Sequence, residues 1–493
     1  MNFSQPLLVL QTSGIAPTSL QELVRACADR LSAGDRILAF YGRPNGGDRV
    51  LVTAALTDSS GHISVFRAHA ERGEQYPSLT PQHPGAQMFE RELWEQMDVV
   101  PTDHPWLKPV RFEGHRQQRM TDYPFFSVRG QEVHEVGVGP IHASVIEPGH
   151  FRFMCLGEEV HHLEIQLGYQ HRGVEAQLLR RPPLSLTSTL ESVVGDSSIA
   201  YAWAYCAAME ALSISAVSVE VDAVRGVALE MERVAMHLAS LTGLATDIAF
   251  LQGGATYGRL RTAIINASMR ACGSRFGRGW LRPGGVRFGL PDELRQDLLA
   301  TLAAFAADFA EINDLMLSAR SVRARFEGVG VVSKLDATAL GLVGLVARAS
   351  GVSVDTRTSM PGRLYGTHSM PLVTETTGDC WARLKLRMRE IDESVRWIRH
   401  ILNESGLDLR AGMLRQPERL QPDALCVSVR EGCRGEVVQV VETGGDGRLL
   451  HYKVQDPSFQ NWFGLALALR NNEISDFPIC NKSFDLSYCG NDL

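Results

Sequence analysis

The stretch GDCWARLKLRMREIDESVRWI, residues 378–398, decides the fold of the larger, C-terminal part of the chain. Within Thr377–Leu402, apolar side chains recur at alternating intervals of four and three residues: Leu384, Met388, Ile391, Val395, Ile398 and Leu402. This spacing puts them on one face of an α-helix, while arginine, lysine and acidic residues occupy the other faces. The stretch therefore predicts an amphipathic helix of a helical bundle.

Four more stretches carry the apolar pattern of long helices. They are Leu186–Leu212, Asp222–Thr246, Tyr257–Cys272 and Pro291–Arg325. A short β-like segment precedes them, and Leu425–Val454 returns to strand-like alternation around the turn sequence GGDG. Residues 136–493 are therefore predicted to form a domain with a long-helix bundle and peripheral β-structure.

The first 115 residues have a different pattern. Residues 8–44 suggest a strand, a helix and a second strand, and apolar runs on both sides of PNGGD suggest a hairpin. We predict a small α+β domain over residues 1–115 and a polar linker over residues 116–135. The predicted fold class of the whole chain is α+β.

Composition excludes several classes of protein. The 493 residues are 44% apolar and 21% charged, and the formal net charge of −7 argues against a nucleic-acid binder. No apolar stretch reaches the roughly 18 residues of a transmembrane helix. Nine scattered cysteines do not suggest a disulfide framework, and the N-terminus lacks a secretory pattern. We expect a reduced, cytoplasmic protein that reaches a membrane only through protein partners.

Simple catalytic motifs do not occur in the sequence. It contains no GxSxG, HExxH, P-loop or CxxC motif, and the glycine-rich run Gly277–Val286 fits a structural turn better than a phosphate-binding loop. One group of residues is rich in potential metal ligands: His142, His150, His161, His162, His171 and Glu175. They suggest either a metal site or separate packing, capping and surface roles, and their spacing matches no metal motif.

Several segments of residues 136–493 resemble the large subunit of energy-converting, membrane-bound NiFe hydrogenases and the homologous quinone-site subunit of respiratory complex I. The segments include GPIH (139–142), EPGHFRF (147–153), GYQHRGVE (168–175), LEMERVAMHLASLTGLATDIAF (229–250), RPGGV (282–286) and ISDFPICNKSFDLSYCGNDL (474–493). The resemblance implies the hydrogenase large-subunit fold for this part of the chain.

Residues 1–115 resemble the 30-kilodalton-type subunit of complex I. The resemblance is carried by EQYPSLTPQHPGAQMFERELWEQM (74–97) and HPWLKPVRF (104–112). A fusion of these two modules in this order is typical of formate-hydrogenlyase-type large subunits.

The resemblance also shows what this chain lacks. The family binds nickel and iron through four cysteine thiolates in two CxxC motifs, and soft thiolates suit these metals. Here the four positions correspond to Val194, Ser197, Ser487 and Gly490, while Cys489 lies one residue before a family position. The chain also ends about where the maturation protease of the family cuts. We therefore expect no metal site and no NiFe cluster.

The complex I quinone site is only partly matched. His142 corresponds to one of its histidines, but the second histidine position lies near Ile146 and the tyrosine position near Gly195. Quinone reduction needs proton donors near both carbonyls. Candidate replacements, by proximity in sequence, are Asp196, Tyr201 and Tyr488, with structural hydrogen bonding as the alternative role.

Two further family positions are retained. Glu175 matches a carboxylate associated with proton transfer, and Arg434 matches an arginine close to the cavity. They could belong to a proton path or form a structural pair. Glu230, Arg233 and His237 share one helical face, a pattern more typical of a bundle brace than of chemistry. The candidate catalytic residues are thus His142, Glu175, Arg434 and Tyr488, and the candidate quinone pocket is Asp196 and Tyr201.

Two hypotheses for function follow. In the first, the chain is a cluster-less subunit of a membrane-associated, complex I-like oxidoreductase on the cytoplasmic face of the inner membrane. Its partners would be an iron–sulfur small subunit, a ferredoxin-like subunit and antiporter-like membrane subunits, and its cavity would take a quinone or another acceptor, or would transmit conformational change to an ion pathway. In the second, it is a non-catalytic assembly scaffold.

The state of the cavity distinguishes the two hypotheses. An open, partly polar pocket between residues 193–198 and 485–491 favours ligand binding. A pocket filled by Tyr201, Trp203 and Tyr488 favours the scaffold. A functional NiFe hydrogenase is disfavoured by the missing cysteines.

Overall fold

The computed structural model describes residues 4–114, 119–128, 130, 132–143, 146–410 and 419–493. The strands are β1 (Leu7–Gln11), β2 (Thr18–Ser19), β3 (Arg36–Pro44), β4 (Arg49–Thr57), β5 (Ile63–Glu71), β6 (Gln75–Pro77), β7 (Val100–Thr102), β8 (Val133–Val138), β9 (His150–Leu156), β10 (Glu159–Gln166), β11 (Leu281–Arg282), β12 (Gly285–Val286), β13 (Ala424–Glu431), β14 (Glu436–Thr443) and β15 (Leu449–Gln455).

The helices are α1 (Leu20–Ser32), α2 (Gln87–Met97), α3 (Val174–Leu178), α4 (Thr187–Leu190), α5 (Ser198–Leu212), α6 (Val219–Asp247), α7 (Leu251–Cys272), α8 (Asp292–Ser318), α9 (Arg320–Phe326), α10 (Lys334–Ala339), α11 (Gly344–Ala349), α12 (Thr356–Ser359), α13 (Gly362–Thr367), α14 (Cys380–Asn403), α15 (Pro457–Ala468), α16 (Phe477–Phe484) and α17 (Tyr488–Asp492). Strands and helices together confirm the predicted α+β class.

A four-stranded sheet in the order β2-β5-β4-β3 forms the centre of the N-terminal part. The helix α1 starts at a capping box in which Ser19 and Glu22 bond to each other's backbone N–H groups, and it buries an apolar face containing Leu20, Leu23 and Val24. The helix α2 packs against β3. This arrangement confirms the predicted small α+β unit.

The first strand belongs to a different sheet. β1 pairs antiparallel with β13, and the sheet order is β1-β13-β14-β15. The beginning of the chain is thereby hydrogen-bonded to the β-structure near its end. The domain boundaries at residues 115 and 135 stay predictions, and linker residues 116–118, 129 and 131 lie outside the described residues.

The helical bundle is built around α6, which packs against α7, α14 and α16. The helix α14 starts after Asp379, whose side chain accepts a hydrogen bond from Ala382 N. Its predicted apolar face is buried, because Leu384, Ile391 and Ile398 are all fully enclosed. The tail also forms strands β13 to β15, as its alternation predicts.

Two of the predicted helices are interrupted. Residues 186–212 form α4 and α5, and the segment between them is held by other parts of the chain: the Arg172 side chain donates to the carbonyls of Ser192 and Val193. Residues 291–325 divide at Ala319, whose ψ of 113° is extended. The prediction of a continuous helix was wrong in both places, because tertiary contacts and local backbone override a periodic pattern.

Candidate functional site

A cavity of about 910 Å³ lies where the segment before α5 meets the C-terminal helices α16 and α17. The turn between β8 and β9 and the loop after α7 complete its walls. The lining contains Val138, His142, Ile146, Glu147, Phe151, Val194, Gly195, Asp196, Ser274, Arg275, Phe276, Arg278, Arg434, Phe477, Pro478, Asn481, Lys482, Asp485, Leu486, Ser487, Tyr488 and Cys489. Of the two alternatives for the region between residues 193–198 and 485–491, an open pocket or a filled one, the structure therefore has the open pocket.

An ion pair forms one wall of the cavity. The Arg434 guanidinium donates to both carboxylate oxygens of Asp196, at 2.8 and 3.0 Å, and its Nε donates to the carbonyl of Asp485. The Arg434 side chain is only 10% exposed, and the charge of this arginine holds the pKa of Asp196 below its usual value. The pair thus ties the segment before α5 to the segment before α17.

His142 lies in the turn that leads to β9. Its Nε2 is 2.8 Å from the carbonyl oxygen of Gly149, so this nitrogen carries the hydrogen. The ring also packs near Phe151, at a centroid distance of 5.8 Å. The arrangement leaves Nδ1 as the imidazole nitrogen available to another group.

Tyr488 provides a hydroxyl group to the same cavity. Burial raises the pKa of this hydroxyl to about 12, so it keeps its proton at neutral pH. Asn481 Nδ2 donates to the Tyr488 oxygen at 3.1 Å, which leaves the O–H hydrogen free to turn elsewhere. The ring packs edge-on against Trp462. The hydroxyl can therefore act as a proton or hydrogen-bond donor.

Glu147 anchors the C-terminal segment, a role that the sequence analysis missed. Its Oε2 accepts hydrogen bonds from the backbone N–H groups of Tyr488 and Cys489, both at 3.0 Å. The only signal in the sequence is its position in EPGHFRF, beside the histidine-rich segment. Asn481 was missed as well.

Two predicted residues do not line the cavity. Tyr201 is fully buried, and its hydroxyl donates to Asp456 Oδ2 at 2.5 Å. Glu175 accepts from the backbone N–H of Val454 at 2.9 Å and lies 3.1 Å from Lys453 Nζ. Glu175 and Arg434 are therefore not paired, because each has a different partner.

The four positions predicted to correspond to metal ligands, Val194, Ser197, Ser487 and Gly490, have the following surroundings. Val194 and Ser487 line the cavity. The Ser487 hydroxyl accepts from Gly490 N at 2.9 Å, and the Ser197 hydroxyl accepts from Arg434 at 3.3 Å. A Cβ atom at Gly490 would lie 2.5 Å from Asp456 Oδ2, so this position has no room for a side chain.

Glu232, another residue missed by the sequence analysis, lies beside the start of α5, next to the segment that lines the cavity. Its carboxylate accepts from the backbone N–H groups of Ile199 and Ala200, at 2.6 and 3.3 Å, in the first turn of α5. Burial is the main cause that raises the pKa of Glu232 to about 8, despite these hydrogen bonds. Burial also raises the pKa of the Cys433 and Cys489 thiols to about 12.

The histidine-rich segment does not converge on one point. His150 Nδ1 contacts the carbonyl oxygen of Gly139, and His162 packs against aromatic rings. His171 Nε2 lies 3.1 Å from Glu113 Oε2. In the described ranges, no three His, Cys, Asp or Glu side chains are arranged to hold a metal ion. Nor is any helix in those ranges long and apolar enough to cross a membrane.

The polar face of α6 belongs to a buried ionic network. Glu230 accepts hydrogen bonds from Arg233, Arg357 and Tyr365, and His237 Nε2 lies 2.8 Å from Glu390. All are enclosed inside the bundle. Their contacts with α13 and α14 fit the bundle-brace interpretation.

Two family models match the chain. Residues 14–124 match the 30 Kd subunit of the respiratory-chain NADH dehydrogenase, and residues 247–421 match its 49 Kd subunit. The second match lies within residues 136–493, and the first covers most of residues 1–115 and extends into the predicted linker.

Similar curated proteins span most of the chain. Hydrogenase-4 component G of Escherichia coli (strain K12) is 27% identical over 87% of this chain and 80% of its own length. Formate hydrogenlyase subunit 5 of the same organism is 28% identical over 84% of this chain and 76% of its own. A subunit of the NADH-quinone oxidoreductase of Campylobacter jejuni is 31% identical over 54% of this chain and 65% of its own length.

A solved structure has the same fold over most of the chain. It is a chain of the membrane-bound sulfane sulfur reductase, an archaeal respiratory membrane complex, with a TM-score of 0.69 and 22% identity. The alignment covers 74% of this chain and 99% of that chain.

Proposed function

Because the chain is a fusion of a complex I 30 kDa-type domain with a 49 kDa-type domain, homologous to the large subunits of energy-converting hydrogenases, we propose that it is a subunit of a related membrane respiratory complex. We further propose that its cavity takes a quinone or a similar two-electron organic acceptor instead of holding a nickel–iron cluster.

The absence of a nickel–iron cluster is supported by the donor set. Of the four corresponding positions, Val194 and Gly490 offer no side-chain ligand, and the hydroxyls of Ser197 and Ser487 already accept other hydrogen bonds. Neutral serine hydroxyls are poor ligands for soft, thiolate-preferring metals. The residues present do not fit the cluster.

The open cavity of about 910 Å³ is the observation that carries the acceptor proposal. Apolar walls that include Phe151, Phe276 and Phe477 suit a flat ring, and a few polar groups offer hydrogen bonds to its oxygens. An assembly scaffold needs no ligand cavity, and in such a protein we would expect side chains to fill this space.

The proposed reaction in the cavity is a two-electron, two-proton reduction of the acceptor. The acceptor gains two electrons and two protons and becomes the hydroquinone. The Tyr488 hydroxyl is one proton donor, and a protonated His142 imidazole is the other. The Arg434 guanidinium stabilises negative charge that develops on a carbonyl oxygen before the proton arrives.

The electrons would come from an iron–sulfur cluster in a partner small subunit. The proposed assembly also contains a ferredoxin-like subunit and antiporter-like membrane subunits, and it lies on the cytoplasmic face of the inner membrane. The similarity to hydrogenase and NADH-quinone oxidoreductase subunits supports this assignment.

The test is acceptor reduction by the intact purified complex, with a short-chain ubiquinone as acceptor. We expect Tyr488→Phe and His142→Gln each to lower kcat by about 100-fold, the scale of a lost general acid. Tyr169→Phe is the matched control, since that hydroxyl bonds to Gln166 and lies outside the cavity. Unchanged turnover in both cavity variants, with the complex still assembled, would overturn the acceptor site and favour the scaffold.

A further inference from the structure

A separate cleft of about 690 Å³ lies between α8, the segment after α13 and the last turns of α14. Its lining has no described residue in common with the first cavity, and the proposed acceptor chemistry does not use it. His368, directly after α13, and His400, in the last turn of α14, both line it, together with Glu404. The two histidines are 32 residues apart in the sequence, so no short motif reveals that they meet.

The two imidazole rings approach each other through one nitrogen atom each. His368 Nδ1 lies 3.1 Å from His400 Nε2. Only one hydrogen fits between two nitrogens at this distance, so one of them presents a lone pair to the other. Two nitrogens 3.1 Å apart, each at the usual zinc–nitrogen bond length of about 2.0–2.1 Å, enclose an angle of about 100° at the metal. The separation is therefore close to the one that two ligands of a single zinc ion require.

Glu404 orients the His400 ring. Its Oε2 lies 3.1 Å from His400 Nδ1, so this nitrogen carries the hydrogen of the contact. A carboxylate on the far nitrogen of a ligating histidine fixes the tautomer and makes the near nitrogen a better donor to a metal. His400 Nε2 is therefore the nitrogen with the free lone pair, and it points toward His368.

His368 is held in place through its backbone. Its N–H donates to the carbonyl of Leu364 at 2.8 Å, and its carbonyl accepts from Trp397 Nε1 at 2.7 Å. Burial lowers the pKa of the His368 imidazole, which favours the neutral form that binds metals. The ligand is thus positioned before any ion arrives.

A hydrated cation can reach the histidine pair. The His400 side chain is 41% exposed, and both rings line the open cleft. Among the described residues, no three His, Cys, Asp or Glu side chains form a metal-holding group, so water would complete the coordination of an ion bound here. Carboxylates outnumber arginines in the lining, which contains Asp392, Glu393, Glu404, Arg396 and Arg399.

We propose that His368 Nδ1 and His400 Nε2 bind one zinc ion, with Glu404 as the carboxylate that positions His400. The hydrogen shared by the two rings moves to His368 Nε2 when zinc binds, so both ligands are neutral imidazoles. The ion joins the end of α13 to the last turn of α14, and it stabilises the folded chain because it binds only that state. With two protein ligands the ion exchanges readily, and a chelator removes it.

Protection from diethyl pyrocarbonate tests the two ligands separately from any other zinc-binding group of the chain. The chelator-treated, full-length chain is modified with and without zinc, and peptide mass spectrometry follows each histidine. We expect zinc to slow the modification of His368 and His400 about tenfold or more, and to leave the exposed His134 unchanged. Magnesium prefers oxygen ligands and should protect neither. No protection by zinc, or equal protection by magnesium, would overturn the proposal and leave only a hydrogen-bonded histidine pair.

Calorimetric titration of variants with zinc chloride measures the contribution of each side chain. His368→Gln and His400→Gln should each abolish one zinc-binding event per chain. Glu404→Gln should weaken that event about tenfold, the lower end of the effect of such a carboxylate, because its side chain is 69% exposed. His134→Gln is the matched control and should titrate as the unmodified chain does. Retention of the full number of zinc-binding events in a folded His400→Gln chain would refute the site even if His368→Gln fails to fold.

Discussion

At the scale of single residues, the Arg434–Asp196 pair fixes the shape of the acceptor cavity. Arg434 also bonds to the carbonyl of Asp485, so a single guanidinium holds two segments that are almost 300 residues apart in the chain. A buried arginine that loses its carboxylate retains the cost of desolvation without the compensating attraction.

Asp196→Asn should therefore destabilise the fold by about 1–3 kcal/mol, the scale of a charged hydrogen bond. We expect no larger loss because the Asp196 side chain is itself partly exposed. Urea unfolding measures this change. Asp446→Asn is the control, since its partner Arg448 is exposed and the expected change is within about 0.5 kcal/mol. Equal losses in the two variants would contradict the role assigned to the pair.

Glu232 should make stability depend on pH. Its pKa is raised from 4.5 to about 8 in the folded state, so between these values the folded chain binds a proton that the unfolded chain has released. Stability contributed by this group is thus present below about pH 4.5 and is lost as the pH rises toward 8.

Glu232→Gln keeps an acceptor for the first turn of α5 but cannot ionise. Relative to the unmodified chain, the variant should gain stability steadily from pH 5 to pH 8 in urea unfolding. A difference between the two proteins that does not change with pH would show that Glu232 does not titrate in this range. Glu404→Gln, at a side chain 69% exposed, serves as the control.

At the scale of elements, the C-terminal helices are packed so closely that Gly490 has no room for a side chain. Asp456 caps α15, accepts the Tyr201 hydroxyl and lies against Gly490. Gly490→Ala should cost about 1–3 kcal/mol, because the new methyl group meets a carboxylate that its own hydrogen bonds hold in place.

Gly258→Ala in α7 is the matched control for that substitution. A Cβ there meets nothing closer than 3.9 Å, so alanine should stabilise the helix by up to about 1 kcal/mol. Thermal unfolding of both variants provides the comparison. A Gly490→Ala chain as stable as the original would contradict the crowding described at Asp456.

The sequence predicted some elements well because their signal is local. The apolar face of α14 recurs at six positions from Leu384 to Leu402, and the structure buries it as predicted. The start of α5 was not predictable in the same way, because Arg172 binds the segment before the helix and Glu232 binds its first turn, and both residues lie outside that stretch of sequence. Periodicity carries no information about such contacts.

The candidate site also contains residues that the sequence predicted correctly and one that it did not. His142, Arg434, Asp196 and Tyr488 line the cavity. The resemblance to known families had indicated His142 and Arg434, whereas Asp196 and Tyr488 were selected by their proximity in sequence. Tyr201 was selected only by its proximity in sequence, and its hydroxyl is bound to Asp456 instead. Whether a helical side chain faces a cavity depends on how the helix is packed, which proximity in sequence does not specify.

At the scale of the whole molecule, the N-terminal unit is joined to the larger part by buried ion pairs as well as by β1. Glu442 accepts hydrogen bonds from Tyr41 and Arg43 at 2.9 and 3.0 Å, and it also pairs with Arg67. Lys453 pairs with Glu92 at 2.6 Å. The contacts link β3, β5 and α2 of the N-terminal part to β14 and β15.

Glu442→Gln would leave two largely buried arginines without a carboxylate. We expect a loss of about 3–5 kcal/mol and faster trypsin cleavage between the two units. Glu393→Gln, which affects a pair with the exposed Arg396, should leave the cleavage rate unchanged. Equal cleavage rates in the two variants would show that the ionic contacts do not hold the units together.

The most direct test of the central claim is the nickel content of the intact complex, purified from cells supplied with nickel and measured by inductively coupled plasma mass spectrometry. Nickel, unlike iron, distinguishes a chain that holds a nickel–iron cluster from one that does not, because iron would also come from the clusters of partner subunits. We expect no stoichiometric nickel. One nickel per chain, lost on substitution of residues that line the first cavity, would contradict it.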